Sequence, residues 1–190
     1  VAILLTELTS KVYRKVTQSL MFLPYFISWV IVGIMAFNIF SSDYGFMNNI
    51  ITALGGEKVL FYTTPEIWPF IIVFFNLWKN IGYGSVMYLA AIMGIDTSIY
   101  EAATIDGANV FQRIFHVTIP MIMPTTVILL LLSVGGIFKG NFDLFYNLVG
   151  SNGLLYNLTD VIDTLTFRAL ISSNNFGMAS AIGLYQSLLC

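Results

Sequence analysis

Few side chains in this sequence could make or break bonds. There is one histidine, His116, and one cysteine, Cys190, and neither sits at a metal-ligand or nucleophile–base spacing. No glycine-rich phosphate loop ending in Lys-Ser or Lys-Thr occurs. The polar groups that stand out form two sets. Glu101-Ala102-Ala103 is followed by Asp106, Gly107 and, after an amphipathic stretch, Pro120. Lys79 lies among Asn76, Trp78, Asn80 and Tyr83 inside an apolar run. The first set suits docking, because two alanines leave one helix face thin beside a carboxylate. The second offers amides, a cation and ring faces, the groups that hold a hydroxyl-rich solute. A third, smaller group, Asp143 and Tyr146, comes after an apolar run and suits a gate or a solute contact, although an interfacial aromatic belt is the plainer explanation.

The elements that must position these residues can be read from composition. The chain is 57% hydrophobic and 9% charged, against about a quarter charged in soluble domains. Such a balance predicts an all-α, polytopic transmembrane bundle with short loops. The runs do not alternate apolar and polar as barrel strands do. The net charge of −2 gives no reason to expect a nucleic-acid partner, and one cysteine excludes an internal disulfide. Spans are expected over 20–40, 67–95 and 119–138, with partial ones at 1–8 and 176–190. All of it reads as one transmembrane domain, 1–190, cut from a longer chain at both ends.

Orientation comes from the basic residues. Lys11, Arg14 and Lys15 in the short loop 9–19 share a side with Arg113, and that side is read as cytoplasmic. Lys58, Lys139 and Arg168 face the other way among six acidic residues. Segment 96–118 then becomes a cytoplasmic loop. Ser98 and Glu101 fit a capping box that opens a short helix ending near Ile105 or Asp106. Gly107 is placed for the left-handed turn, and Asn109 with Gln112 opens a second helix. The plain alternative is an amphipathic loop lying on the headgroups. For Lys79 the alternative is snorkelling toward a membrane face, with Gly82 and Gly84 serving helix packing. Asp160, Asp163 and Arg168 read as solvated or capping residues, or as contacts to an external protein, and His116 as an interfacial side chain.

The pattern E-A-A, three residues, G, nine residues, an aliphatic, one residue, an aliphatic and P resembles the EAA loop of permease subunits of bacterial binding-protein-dependent ABC importers. Val117 and Ile119 stand where that family usually has Ile and Leu. Residues 22–29 (FLPYFISW), 89–96 (LAAIMGID), 105–108 (IDGA) and 161–164 (VIDT) resemble the carbohydrate-uptake branch, nearest the complex-oligosaccharide permeases. The resemblance implies a type I importer permease in the bacterial inner membrane. It implies a second permease subunit, a cytoplasmic ATPase dimer, an extracytoplasmic binding protein and a sugar or oligosaccharide substrate, with no cofactor of its own. Glu101, Ala102, Ala103, Asp106, Gly107 and Pro120 would belong to the ATPase-coupling loop of a non-catalytic subunit. A permease for an amino acid or phosphate ester is the nearest alternative. A self-contained channel or secondary transporter leaves the Glu101–Pro120 module without a purpose.

Overall fold

A computed structural model describes residues 1–8, 10–137 and 139–189. Thr9 of the basic loop, the expected span end at Phe138, and Cys190 lie outside the described residues. All regular structure among the described residues is helical. The chain divides into two compact units: Val1–Phe26 with Trp78–Val134, and Ile27–Leu77 with Gly135–Cys190.

The first unit holds α1 (Ala2–Thr6), α2 (Lys11–Phe22) and the C-terminal part of α5 (Trp68–Met93). It also holds α6 (Thr97–Ile105), α7 (Val110–Arg113) and most of α8 (Ile119–Gly135). Its core joins Ala2, Leu89, Ile92, Ile95 and Ile122, with Tyr88 and Tyr100 packed against them. Gly82 lets α2 approach α5 closely, since a Cβ there would overlap the Met21 carbonyl. A Cβ on Gly84 would meet open space.

The second unit holds α3 (Trp29–Phe40), α4 (Phe46–Ala53), α9 (Phe142–Val149), α10 (Tyr156–Thr159), α11 (Ile162–Ile171) and α12 (Phe176–Leu189). α3 packs on α9, and α11 on α9 and α12. Gly33 makes the α3–α9 approach possible, because a side chain there would strike the Asn147 carbonyl. Trp68 is 0% exposed and donates its indole N–H to the Phe61 carbonyl at 2.7 Å. Asn48 is buried, donating to the carbonyls of Ser41 and Val59 and accepting the Val59 N–H. Both buried polar side chains are thus satisfied by nearby backbone, as burial requires.

Two expected apolar runs differ from the observed helices. Residues 20–40 are not one helix: α2 ends at Phe22, a 3₁₀ turn covers Leu23–Phe26, and α3 begins at Trp29. Pro24 supplies no N–H to a continuing helix, and Ser28 caps a fresh start by accepting from the Ile31 N–H. The third run extends backward. Val110–Gly135 forms a single stretch of 26 residues that is long and apolar enough to cross a membrane, by length and composition. α5 has the same length, but Asn76, Lys79, Asn80 and two glycines dilute its apolar character.

Candidate functional site

The loop between α5 and α8 is a helix, a left-handed turn and a second helix. α6 is capped by Asp96, whose carboxylate accepts the Ser98 N–H at 2.9 Å. The cap lies two residues before the expected Ser98, so the helix gains about half a turn, and Glu101 falls at its centre. The Ser98 backbone and hydroxyl hold the Asp96 carboxyl below its ordinary range. At the far end the Ala108 N–H reaches back to the Ala103 carbonyl, and Gly107 takes φ +79°. Asn109 and Gln112 then open the second helix, as expected, and do so through a reciprocal capping box at 2.9 and 2.8 Å.

Beyond Arg113 the helix widens. Ile114–Thr118 is a π turn, and α8 continues from it without a break. Pro120, second in α8, has no N–H to give, and the widened turn immediately before it absorbs the lost bond. Buried Thr118 hydrogen-bonds the Tyr100 hydroxyl at 3.0 Å, tying α6 to the start of α8. Arg113 donates to Thr104 at 3.2 Å and pairs with Glu7 at 3.7 Å. Arg14 donates to the Thr6 and Leu8 carbonyls. The N-terminal segment and the loop are therefore stitched to one another. His116 is exposed, with its ring nitrogen 3.2 Å from the Gln112 carbonyl.

This loop displays an apolar face to its surroundings. Ile105 is 86% exposed and Phe111 73% exposed, while Glu101, Ala102 and Asp106 are also exposed and Ala103 is half-buried. Sequence alone does not single out Ile105 and Phe111, because an apolar residue in an amphipathic segment reads as inward-facing until the backbone is seen.

The second set of residues divides. Lys79 is buried, 5% exposed, and its ammonium donates to the Pro24 and Tyr25 carbonyls at 3.3 and 2.7 Å. It also stands 5.6 Å from the centre of the Tyr25 ring, which stacks on Tyr83 at 4.5 Å. The cation thus holds the carbonyl end of the 3₁₀ turn, the end that favours positive charge. Tyr83 and Asn76 are exposed on α5, and Trp78 and Asn80 half-buried. Asp143 is exposed in the first turn of α9, where a carboxylate favours the helix dipole.

Tyr146 belongs to a different cluster. It stacks on Phe142 at 5.0 Å and meets Phe167 edge-on at 5.1 Å. Beside these rings lies a cavity of about 270 Å³, whose lining includes Tyr146, Tyr156, Asp160, Thr164, Phe167 and Arg168. Asp160 receives a fork from Arg168, with Nη1 at 3.0 Å from Oδ1 and Nη2 bonded to Oδ2. Thr164 donates to Asp160 at 2.5 Å, and the guanidinium carbon lies 3.9 Å from the Tyr156 ring centre. Burial pushes the Asp160 carboxyl up, but the hydrogen bonds of Arg168 and Thr164 and the guanidinium charge hold it net below the usual range. The pair is eight residues apart, a spacing that gives no helical signal, and for that reason both read as solvated residues in the sequence. Asp163 is bound elsewhere, accepting from Gln186 of α12 at 2.8 Å.

Comparison with known proteins places the chain as a whole. A family model described as "Binding-protein-dependent transport system inner membrane component" matches residues 1–190. Protein LplB of Bacillus subtilis is 34% identical over 188 residues, covering 99% of this chain and 58% of its own length. The polygalacturonan/rhamnogalacturonan transport system permease protein YteP of the same organism is 32% identical, covering 98% of this chain and 57% of its own. A crystal structure of a bacterial alginate ABC transporter, in complex with alginate pentasaccharide-bound periplasmic protein, superposes with a TM-score of 0.92 at 36% identity. That match covers 99% of this chain and 65% of the other, so the all-helical fold is that of type I importer permeases. The chain spans less than two thirds of the length of each of these relatives.

Proposed function

This chain belongs to the inner membrane components of binding-protein-dependent transport systems, and from that we propose that it is the translocation subunit of an ATP-driven importer of sugars or oligosaccharides. Its partners are a second permease subunit, a cytoplasmic ATPase dimer and an extracytoplasmic binding protein; a sugar crosses the bacterial inner membrane between the permeases. The relatives named for polygalacturonan and alginate support a saccharide substrate. Hydrolysis takes place on the ATPase, and this subunit transmits it.

The carrying observation is the loop. α6 presents Glu101, Ala102 and Ile105 outward, Gly107 reverses the chain, and α7 presents Phe111 before running unbroken into α8. A short helix with a carboxylate and exposed apolar side chains fits a cleft on a soluble protein. Closure of the ATPase on ATP then moves α6, and the continuous Val110–Gly135 helix carries that displacement into the bilayer, shifting the permease between two facing states. Asp106 and Gly107 shape the turn, and Pro120 sets where the helix widens. The Arg113–Glu7 pair supports placing the N-terminal basic segment and the loop on one membrane side. Spans at 20–40, 67–95 and 119–138 belong to the same proposal, the first of them as a broken helix. Among the pathway residues, Asn76, Trp78, Asn80, Tyr83 and Asp143 remain proposed solute contacts. Lys79, with its ammonium on two carbonyls, is proposed to position the 3₁₀ turn.

The test is recovery of partners with the full-length protein from its native membranes in mild detergent. An ATP-binding-cassette subunit and a second permease are expected with the wild type, and loss of the ATPase with Glu101→Lys. Recovery of the protein without any ATPase sinks the importer reading. Equal recovery in Glu101→Lys sinks the role of the loop.

A further inference from the structure

The cavity beside Asp160 plays no part in the coupling reading, and its chemistry points to a ligand. Asp160 and Arg168 are the only charged residues among the described ones lining it, and they neutralise one another through a two-bond fork. Each side chain is still 26% exposed, so the pair is reachable. A carboxylate beside a guanidinium offers an acceptor and a donor at adjacent positions. Vicinal hydroxyls of a pyranose need that combination, since each hydroxyl both donates and accepts. The aromatic rings of Tyr146 and Phe167 supply apolar faces for the C–H side of such a ring. The cavity of about 270 Å³ lies just below the roughly 300–1,000 Å³ of drug-sized ligand sites, which suits one ring and not an oligomer.

We propose that the Asp160–Arg168–Tyr146 pocket is a subsite for a single neutral pyranose unit. The proposal rests on the importer reading and narrows it by charge. A uronate carboxylate entering here meets the Asp160 carboxylate and finds the guanidinium fork already occupied. Neutral sugars are therefore favoured over the uronate polymers named for two relatives of this chain. Thr164 fixes the Asp160 carboxylate from the side, so the fork has one orientation.

The experiment uses full-length protein with its co-purifying permease and ATPase subunits in detergent micelles, freed of binding protein, and saturation-transfer NMR with xylotriose, maltotriose or trigalacturonate added separately. Transfer to ring protons of a neutral trisaccharide is expected, with little to trigalacturonate. Asp160→Asn, which frees the guanidinium, is expected to weaken the neutral signal about tenfold and to raise that of trigalacturonate. Tyr146→Ala, at a partly exposed ring whose Phe142 and Phe167 neighbours still pack on one another, is expected to weaken the neutral signal alone, and it carries the test if Asp160→Asn does not fold. The proposal is overturned by a wild-type preference for trigalacturonate, by neutral signals that neither variant alters, or by no transfer from any of the three probes. Presence of the ATPase in the same preparation is scored separately. A complete complex without saccharide transfer overturns the pocket alone, and a missing ATPase overturns the importer reading.

Discussion

Gly107 sits at φ +79° with nothing within 4 Å of where a Cβ would stand. Conformation alone therefore decides what the position tolerates. Gly107→Val is expected to cost about 1–2 kcal/mol locally and to weaken ATPase retention, while Gly107→Asn keeps most of it, because Asn visits the left-handed region. Equal retention in both variants would remove the turn from the mechanism. Lys79 allows a different separation. Lys79→Met takes the ammonium from the part-buried Pro24 and Tyr25 carbonyls, at about 0.5–1.5 kcal/mol for each lost hydrogen bond. The expected result is a thermal midpoint lowered by several degrees in detergent, with ATPase recovery unchanged; lost transport at an unchanged midpoint would return Lys79 to the solute path. At Asp160 the folded carboxyl lies below its unfolded value of about 3.9. The stabilisation from its pairing is complete above that pH and is lost as pH falls through the lower folded value. Saccharide signals at the pocket are thus expected to stay level from about pH 7 to pH 5 and to fall only below about pH 4; a loss near neutrality would implicate another group.

Helices supply the next contrast. Gly82 and Gly84 look equivalent in the sequence, two glycines spaced along one apolar run. In the structure only Gly82 has backbone against it, the Met21 carbonyl of α2. Gly82→Ala is expected to destabilise by about 1–3 kcal/mol through overpacking. Gly84→Ala is expected to be neutral or to gain up to about 1 kcal/mol of helix propensity. Thermal unfolding of the two variants separates them, and similar midpoints would contradict the close α2–α5 approach. Legibility in the sequence divides along the same line between local and distant causes. The helix start at Asn109 and the Gly107 turn are readable because capping and left-handed turns are local grammar carried by a few residue types. The break at 23–28 is not, because Leu23–Ile27 is apolar on both sides of Pro24 and hydropathy sees one run where the backbone makes two. Asp96 outcompetes Ser98 as cap by being two residues earlier with a carboxylate that still reaches the Ser98 N–H. The Asp160–Arg168 fork is invisible for a different reason: it depends on how the chain enters α11, which no periodicity records.

For the whole molecule, the exposed side chains of the loop make sense only with something against them. Ile105→Asp and Phe111→Asp are expected to release the ATPase as Glu101→Lys does, without reducing the yield of permease extracted from the membrane. Co-purification and then size-exclusion chromatography check this, and full retention in both variants would reassign the face to lipid headgroups. The helix that begins at Val110 also has a mechanical consequence. Because α7 and the span are one rod, the Gly107 turn is the last reversal between α6 and the far end of that helix. The π turn at Ile114–Thr118 is then the irregular segment of that rod, ahead of Pro124 inside it. Under the proposed coupling, a load applied at Phe111 would first meet the five residues of that turn, held by the Tyr100–Thr118 bond, and the stiffness of this short collar would set how much of each stroke reached the far end of the shaft.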